Sequence, residues 1–96
     1  MSQETLSNEQ FVEASVSTTS GFYPTEGYER VSAHQKVSVL LDKAQIQLKI
    51  RDVAGWIATV TDSSGKRPID PNRSYLENGL SGKVEIDWGP SEGGGG

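Results

Sequence analysis

A chain of 96 residues is short enough for one domain, and its net charge of −4, from 13 acidic and 9 scattered basic side chains, argues against a nucleic-acid partner. The absence of cysteine excludes disulfides, cysteine metal sites and a cysteine nucleophile, and means that the chain cannot itself be the thiol side of a thioester. No stretch reaches the about eighteen apolar residues of a membrane span, and MSQETLSNEQ has neither the basic start nor the apolar run of a signal peptide, so the expectation is a cytoplasmic protein with no membrane partner.

Hydrophobic content is low at 33%, but two Trp, three Tyr and two Phe supply large pieces of core. Residues 1–10 are polar and expected to be disordered. Phe11 to Thr19 alternates, with Val12, Ala14, Val16 and Thr18 on one face, and reads as a strand. Ser20 to Gly27 is a turn-rich connection, in which Phe22 and Tyr23 either cap the core or lie exposed. Tyr28 to Ala33 reads as a second strand, with Val31 and Ala33 on one face, so the two strands suggest an antiparallel hairpin.

Lys36 to Ile50 carries two periods at once. Val37, Leu40, Leu41, Ala44 and Leu48 form a helical stripe, which His34 or Ser32 could cap. Yet Val37, Val39 and Leu41 alternate, as do Ile46, Leu48 and Ile50, so a second hairpin bent at Asp42–Gln45 fits the same letters. Under that reading the chain would be an all-β structural or self-assembly module with a linker-like tail. Trp56 to Thr61 is a short apolar strand, and Asp62–Gly65 is a polar turn. Lys66 to Gly82 is a winding segment, pinned to the core by Ile69, Tyr75, Leu76 and Leu80, with one helical turn at Tyr75–Asn78 stopped by Gly79. In the last strand Lys83, Glu85 and Asp87 alternate with Val84, Ile86 and Trp88, and Gly89 and Pro90 are expected to end it.

The tail of residues 89–96 has few side chains to anchor it and is expected to be mobile and exposed. A run of glycines can thread a narrow cleft, which makes Gly93, Gly94, Gly95 and Gly96 the candidate functional group; a flexible linker is the plainer reading. His34, the single histidine, has no second histidine or cysteine to share a zinc ion or a catalytic task, so a surface or capping role is expected and no metal site. Asp62, Asp70, Glu77, Glu85 and Asp87 show no diagnostic spacing and read as solvated charge. Trp56 and Trp88 read as core; the alternative for Trp88, last before the tail, is a partner contact.

The element order, the segment GKRPIDPNRSYLENGLSGKVEID and the Gly-Gly ending together resemble the ubiquitin-like modifier (β-grasp) family over about residues 11–96. The resemblance implies an α+β fold of ubiquitin-like β-grasp type, with a four- to five-stranded mixed sheet packed on one helix, and so favours the helix for 36–50. It places Ile69, Leu76, Leu80, Val84 and Ile86 in the core of a domain spanning 11–88. It also implies a protein that is not itself an enzyme. The Gly96 carboxylate (or that of Gly94 or Gly95 after trimming) would be adenylated with ATP by an E1-like activating enzyme and held there as a thioester. An E2-like conjugating enzyme would pass it to an amine or hydroxyl of protein targets, and a deconjugating peptidase would remove it. No cofactor of its own is expected. Lys36, Lys43, Lys49, Lys66 and Lys83 are the candidate acceptors should chains form, with the hydroxyls of Ser2–Ser7 beside them. A sulfur-carrier β-grasp protein, with a thiocarboxylate at the same carbon, is the alternative within the fold. Gly89, Pro90, Ser91 and Glu92 stand where eukaryotic members carry arginines, and Lys83, Glu85 and Asp87 stand where ubiquitin has an apolar docking patch. The tail therefore looks more like that of ubiquitin-like proteins encoded in bacterial operons. Self-association through Phe22–Tyr28 or an exposed strand edge is a further expectation.

Overall fold

The computed structural model describes residues 10–90, and the expectations for 1–9 and for the tail beyond Pro90 lie outside them. Six strands and one helix follow in the order β1 (Phe11–Thr18), β2 (Gly21–Tyr23), β3 (Glu29–Ser32), α1 (Val37–Gln47), β4 (Trp56–Asp62), β5 (Gly65–Ile69) and β6 (Gly82–Pro90). The sheet order is β2-β1-β6-β4-β5, with β3 also paired to β1. β1 and β6 run parallel at the centre, and every other pairing is antiparallel. This is an α+β β-grasp: one mixed sheet with a helix across one face.

The alternation read from the sequence sets the inner face. Val12, Ala14 and Val16 of β1, Ala58 and Val60 of β4, and Val84, Ile86 and Trp88 of β6 are buried together with Val37, Leu40, Leu41 and Ala44 of α1. Leu48 packs against that cluster just past the helix. The helical period thus prevails over the alternating one in 36–50, and the all-β alternative falls. A hairpin would have placed Val39 on the same side as Val37 and Leu41; in the helix Val39 and Ile46 point outward, 38% and 73% exposed.

Several details differ from the sequence reading, each for a local reason. The return arm of the first hairpin is split: β3 pairs with the start of β1, and the turn-rich connection contributes β2, which pairs with its end. Tyr23 packs against the core while Phe22 is exposed. The helix is capped by neither His34 nor Ser32. Lys36 is the N-cap and makes no side-chain capping bond; instead Val37 N–H donates to the Arg73 carbonyl at 3.1 Å and Ser38 N–H to the Pro71 carbonyl at 2.9 Å. A distant loop thus satisfies donors that a capping side chain usually serves. At the other end, Lys49 takes φ +58, its N–H donates to Ile46, and Ile50 N–H donates to Gln45, the bond pattern of a Schellman cap with lysine in the place glycine usually holds.

The 66–82 segment is not all winding. Residues 65–69 form β5, antiparallel to β4, and only then does the chain loop. Ile69, Tyr75 and Leu80 are buried as expected, but Leu76 is 44% exposed. Tyr75 fills the place expected of Leu76, because the turn begins at Ser74, whose hydroxyl accepts from Glu77 N–H while the Glu77 carboxylate accepts from Ser74 N–H, both at 3.0 Å. That reciprocal capping box fixes which side of the turn faces inward. Gly79, at φ +75, ends the turn as expected. Finally, Gly89 and Pro90 do not stop the last strand: β6 continues through both, with Ile57 opposite Gly89 and Trp56 opposite Pro90.

Candidate functional site

The glycines at 93–96 lie outside the described residues, so the site described is the root from which they depart. β6 lies between β1 and β4 in the sheet order: β1 pairs with it from Gly82 to Asp87 and β4 from Ile86 to Pro90, so that its last residues have β4 alone beside them. It is anchored near its end by Trp88, 8% exposed, whose ring meets Trp56 edge to face at 5.1 Å and 81°. Such a pair adds about 0.5–1.5 kcal/mol beyond the area it buries. Trp88 therefore faces the core and offers a partner little surface. The opposite face of the same strand carries Lys83, Glu85, Asp87 and then Gly89, and over its last residues a trough of about 450 Å³ opens, lined by the ends of β1, β4 and β6 and by Lys66 of β5.

The candidate acceptor lysines are dispersed. Lys43, on the helix, holds the Glu29 carboxylate at 2.7 Å. Hydrogen bonds from Lys43 and then Tyr23 hold the Glu29 carboxyl below its usual range, and the same carboxylate raises both Lys43 and Tyr23 above theirs. A lysine held charged in this way is the poorer nucleophile. Lys83 lies over the Tyr28 ring at 5.3 Å, and Lys66 reaches Asp87 at 4.0 Å. Lys36 and Lys49 flank the helix and are exposed. The five are not gathered into one site.

The carboxylates weighed as an acid–base pair are each engaged locally. Asp62 accepts from Arg67 at 2.9 Å and from Ser64 N–H, and these bonds lower its pKa; Asp70 caps Asn72 N–H; Glu77 belongs to the capping box; Glu85 accepts from Tyr28, whose phenol is raised by that bond. His34 is exposed. Among the described residues no group of three or more His, Asp or Glu side chains is placed to hold a metal ion, and no helix is long and apolar enough to cross a membrane. The sequence reading missed Gly89. It took this glycine as a stop signal, whereas its outward place in the alternating strand was the available clue.

No family model matches the chain, and no curated protein matches its sequence. Among solved structures it is similar to a ubiquitin-like domain from tubulin-binding cofactor B, with a TM-score of 0.63 and 12% identity over 90% of this chain and 96% of that one. It is also similar to the ubiquitin-like domain of EccD5 from Mycobacterium xenopi, at 15% identity over 85% of this chain and 98% of that one, where a TM-score of 0.45 carries no argument. At 12% identity the first likeness shows the fold alone, and it agrees with the topology described above: the chain has a ubiquitin-like β-grasp fold.

Proposed function

We propose that this domain is a protein modifier that reacts through a carboxylate in its glycine run, that of Gly96, or of Gly94 or Gly95 after trimming. An E1-like enzyme would use ATP to adenylate it and then hold it as a thioester; an E2-like enzyme would transfer it to an amine or hydroxyl of a target. The observation that carries the reading is that the chain runs from the central strand of a ubiquitin-like sheet, with Pro90 still paired to Trp56, through only Ser91 and Glu92 to the glycine run. A rigid root followed by residues without side chains suits delivery of an acyl carbon into a narrow cleft. The domain contributes recognition and a leash, and its partners contribute the catalysis.

A second reading has support in the comparison itself, since the similar solved structure is a domain from another protein. On that reading 91–96 is a linker and the domain only docks. A sulfur carrier is a third outcome at the same carbon. The test is intact mass after incubation with ATP and an activating enzyme of the same genome, beside a variant lacking Gly93–Gly96. A thiol-sensitive adduct on the enzyme, lost with the truncated tail, is the expected result. With sulfide added, displacement of AMP from the adenylate by sulfide, which leaves a thiocarboxylate in place of the carboxylate, marks the carrier. No adduct with an enzyme demonstrably active on another substrate overturns the modifier and leaves the docking domain.

A further inference from the structure

Asn78, half-buried in the loop before β6, ties several stretches of the chain together. Its side-chain amide accepts from Asp70 N–H at 2.8 Å and donates to the Asp70 and Ser74 carbonyls, each at 2.9 Å, with the Arg73 carbonyl at 3.5 Å. Its backbone carbonyl accepts from the Arg67 guanidinium at 3.0 Å. The amide thus clamps the loop 70–74 to the turn that follows. That loop is the one that supplies the Pro71 and Arg73 carbonyls to the start of α1, which has no side-chain cap. Such a set of bonds needs donors and an acceptor on one side chain, which an amide has and a carboxylate lacks. The next residue is glycine for a separate reason: Gly79 has φ +75, which is costly for a residue with a Cβ. Two independent demands of the fold therefore write the only Asn-Gly pair in the sequence. In such a pair no side chain hinders the glycine nitrogen from reaching the asparagine amide carbon.

We propose that Asn78 is a deamidation site that the native fold keeps shut, and that its reaction is a one-way switch, because a chain once opened and converted cannot rebuild the clamp beside α1. The only co-reactant is water. The Gly79 backbone nitrogen gives up its proton to hydroxide and attacks Cγ of Asn78. The N–Cγ bond forms, the Cγ–Nδ2 bond breaks, and Nδ2 leaves as ammonia with a proton taken from water. Water then opens the cyclic imide at either carbonyl, giving aspartate, or isoaspartate with the chain rerouted through Cγ. In the fold these groups are occupied. Gly79 N–H donates to the Leu76 carbonyl at 2.9 Å, and both ends of the Asn78 amide are held by residues 70–74. Those bonds must break before nitrogen and carbon can join. After reaction, an aspartate keeps an acceptor for Asp70 N–H but turns its second oxygen, unprotonated at neutral pH, on two carbonyl oxygens that stood 2.9 Å from the lost nitrogen. Isoaspartate lengthens the backbone as well. The inference does not depend on the tail, and holds for a modifier and a docking domain alike.

The test follows conversion of Asn78 by peptide mass spectrometry in the full chain held at mildly alkaline pH, either folded or unfolded in guanidinium chloride. Wild type should convert at least about tenfold faster unfolded than folded, since the opening that frees the pair is rare in the native state. Gly79→Ala, unfolded under the same conditions, should convert several-fold more slowly, because its methyl group hinders the attack. The product state is read from Asn78→Asp. Its melting temperature should fall, and hydrogen exchange at Val37 and Ser38 N–H should quicken relative to the core amides of β1 and β6. Asn72→Asp adds the same charge to the exposed part of the loop and should do neither. Should Asn78→Asp fail to fold, the comparison of rates in wild type still decides whether the fold is the gate. Equal rates in the folded and unfolded chain overturn the proposal, as does an unfolded chain in which Asn78 stays intact. So does a folded Asn78→Asp with the stability and exchange of Asn72→Asp, because conversion would then switch nothing.

Discussion

β6 is one strand of nine residues with two unlike faces. Val84, Ile86 and Trp88 point into the core and are 4%, 0% and 8% exposed. Lys83, Glu85, Asp87 and Gly89 point away to the sheet's open side, where only side chains meet the charged three: Tyr28 lies against Lys83 and Glu85, and Lys66 reaches Asp87. Both faces share one backbone and one pairing register, but the helix covers only the inner one, and the side chains differ accordingly. It teaches where the information lies. The inner face explains why the strand is held; the outer face is free of that demand, and what stands there is available for recognition.

The sharpest way to break the comparison is to truncate the inner face. Ile86 is fully buried, opposite Val60 on one side and Val16 on the other. Ile86→Ala deletes three carbons from a packed centre and leaves a cavity bounded by two rigid neighbouring strands. The expected loss is about 2–5 kcal/mol, a large part of the stability of a domain this size. Urea denaturation followed by tryptophan fluorescence measures it. A loss near zero would mean that the core can collapse around the gap and that β6 is not the anchor described.

A smaller effect belongs to the margin between the two faces, where the helix meets the edge strand β3. There Glu29 accepts from Lys43 and from Tyr23, both at 2.7 Å. The Glu29 carboxyl is held below its ordinary value of 4.5, so its contribution is fully present above that value and is lost as pH falls through the lowered one. Lys43 and Tyr23 are held above 10.5 and 10.0, so their contributions are present below those values and are lost at higher pH. Between the two limits the cluster stabilises the fold. Wild type should therefore exceed Glu29→Gln in stability at pH 7, and the gap should close as pH falls below about 4, the ordinary carboxylate range. Melts of both proteins at several pH values decide it; a gap independent of pH would place the effect of the substitution in packing rather than charge.

Where the sequence was legible follows the same division. Alternation in β1 and β6 and the helical stripe from Val37 to Leu48 mark inner positions, and those were readable because burial on one side imposes a period. Choosing helix over hairpin in 36–50 needed the resemblance of the whole chain, since both periods are written there. The start of α1 could not be read locally, because its first donors are satisfied by carbonyls of Pro71 and Arg73, more than thirty positions away. β5 was hidden by Pro68, a poor strand residue that is tolerated because β5 is the edge of the sheet. The Ser74–Glu77 spacing was a legible capping signature, and it would have kept Tyr75 inward, as expected, and turned Leu76 out. Of the candidate site, the glycine run was plain in the sequence. The trough was not, since it is assembled from four strands and shows in no single stretch.

The smallest effect should come from the outer face, and its smallness is the test. Lys66 approaches Asp87 at 4.0 Å, with 63% and 55% of the two side chains exposed. A pair so wet gains little Coulomb energy, and ordering two side chains costs entropy that offsets much of it. Lys66→Ala should therefore change stability by no more than about 0.5 kcal/mol, read from the same urea titration. Lys66→Ala removes one heavy atom more than Ile86→Ala, and yet its consequence would be several-fold smaller because the two sit on opposite sides of the sheet. A loss approaching that of Ile86→Ala would show that the open face is part of the folding core after all. The charge pattern of Lys83, Glu85 and Asp87 would then be needed to hold the sheet, and would no longer be free to be set by a partner.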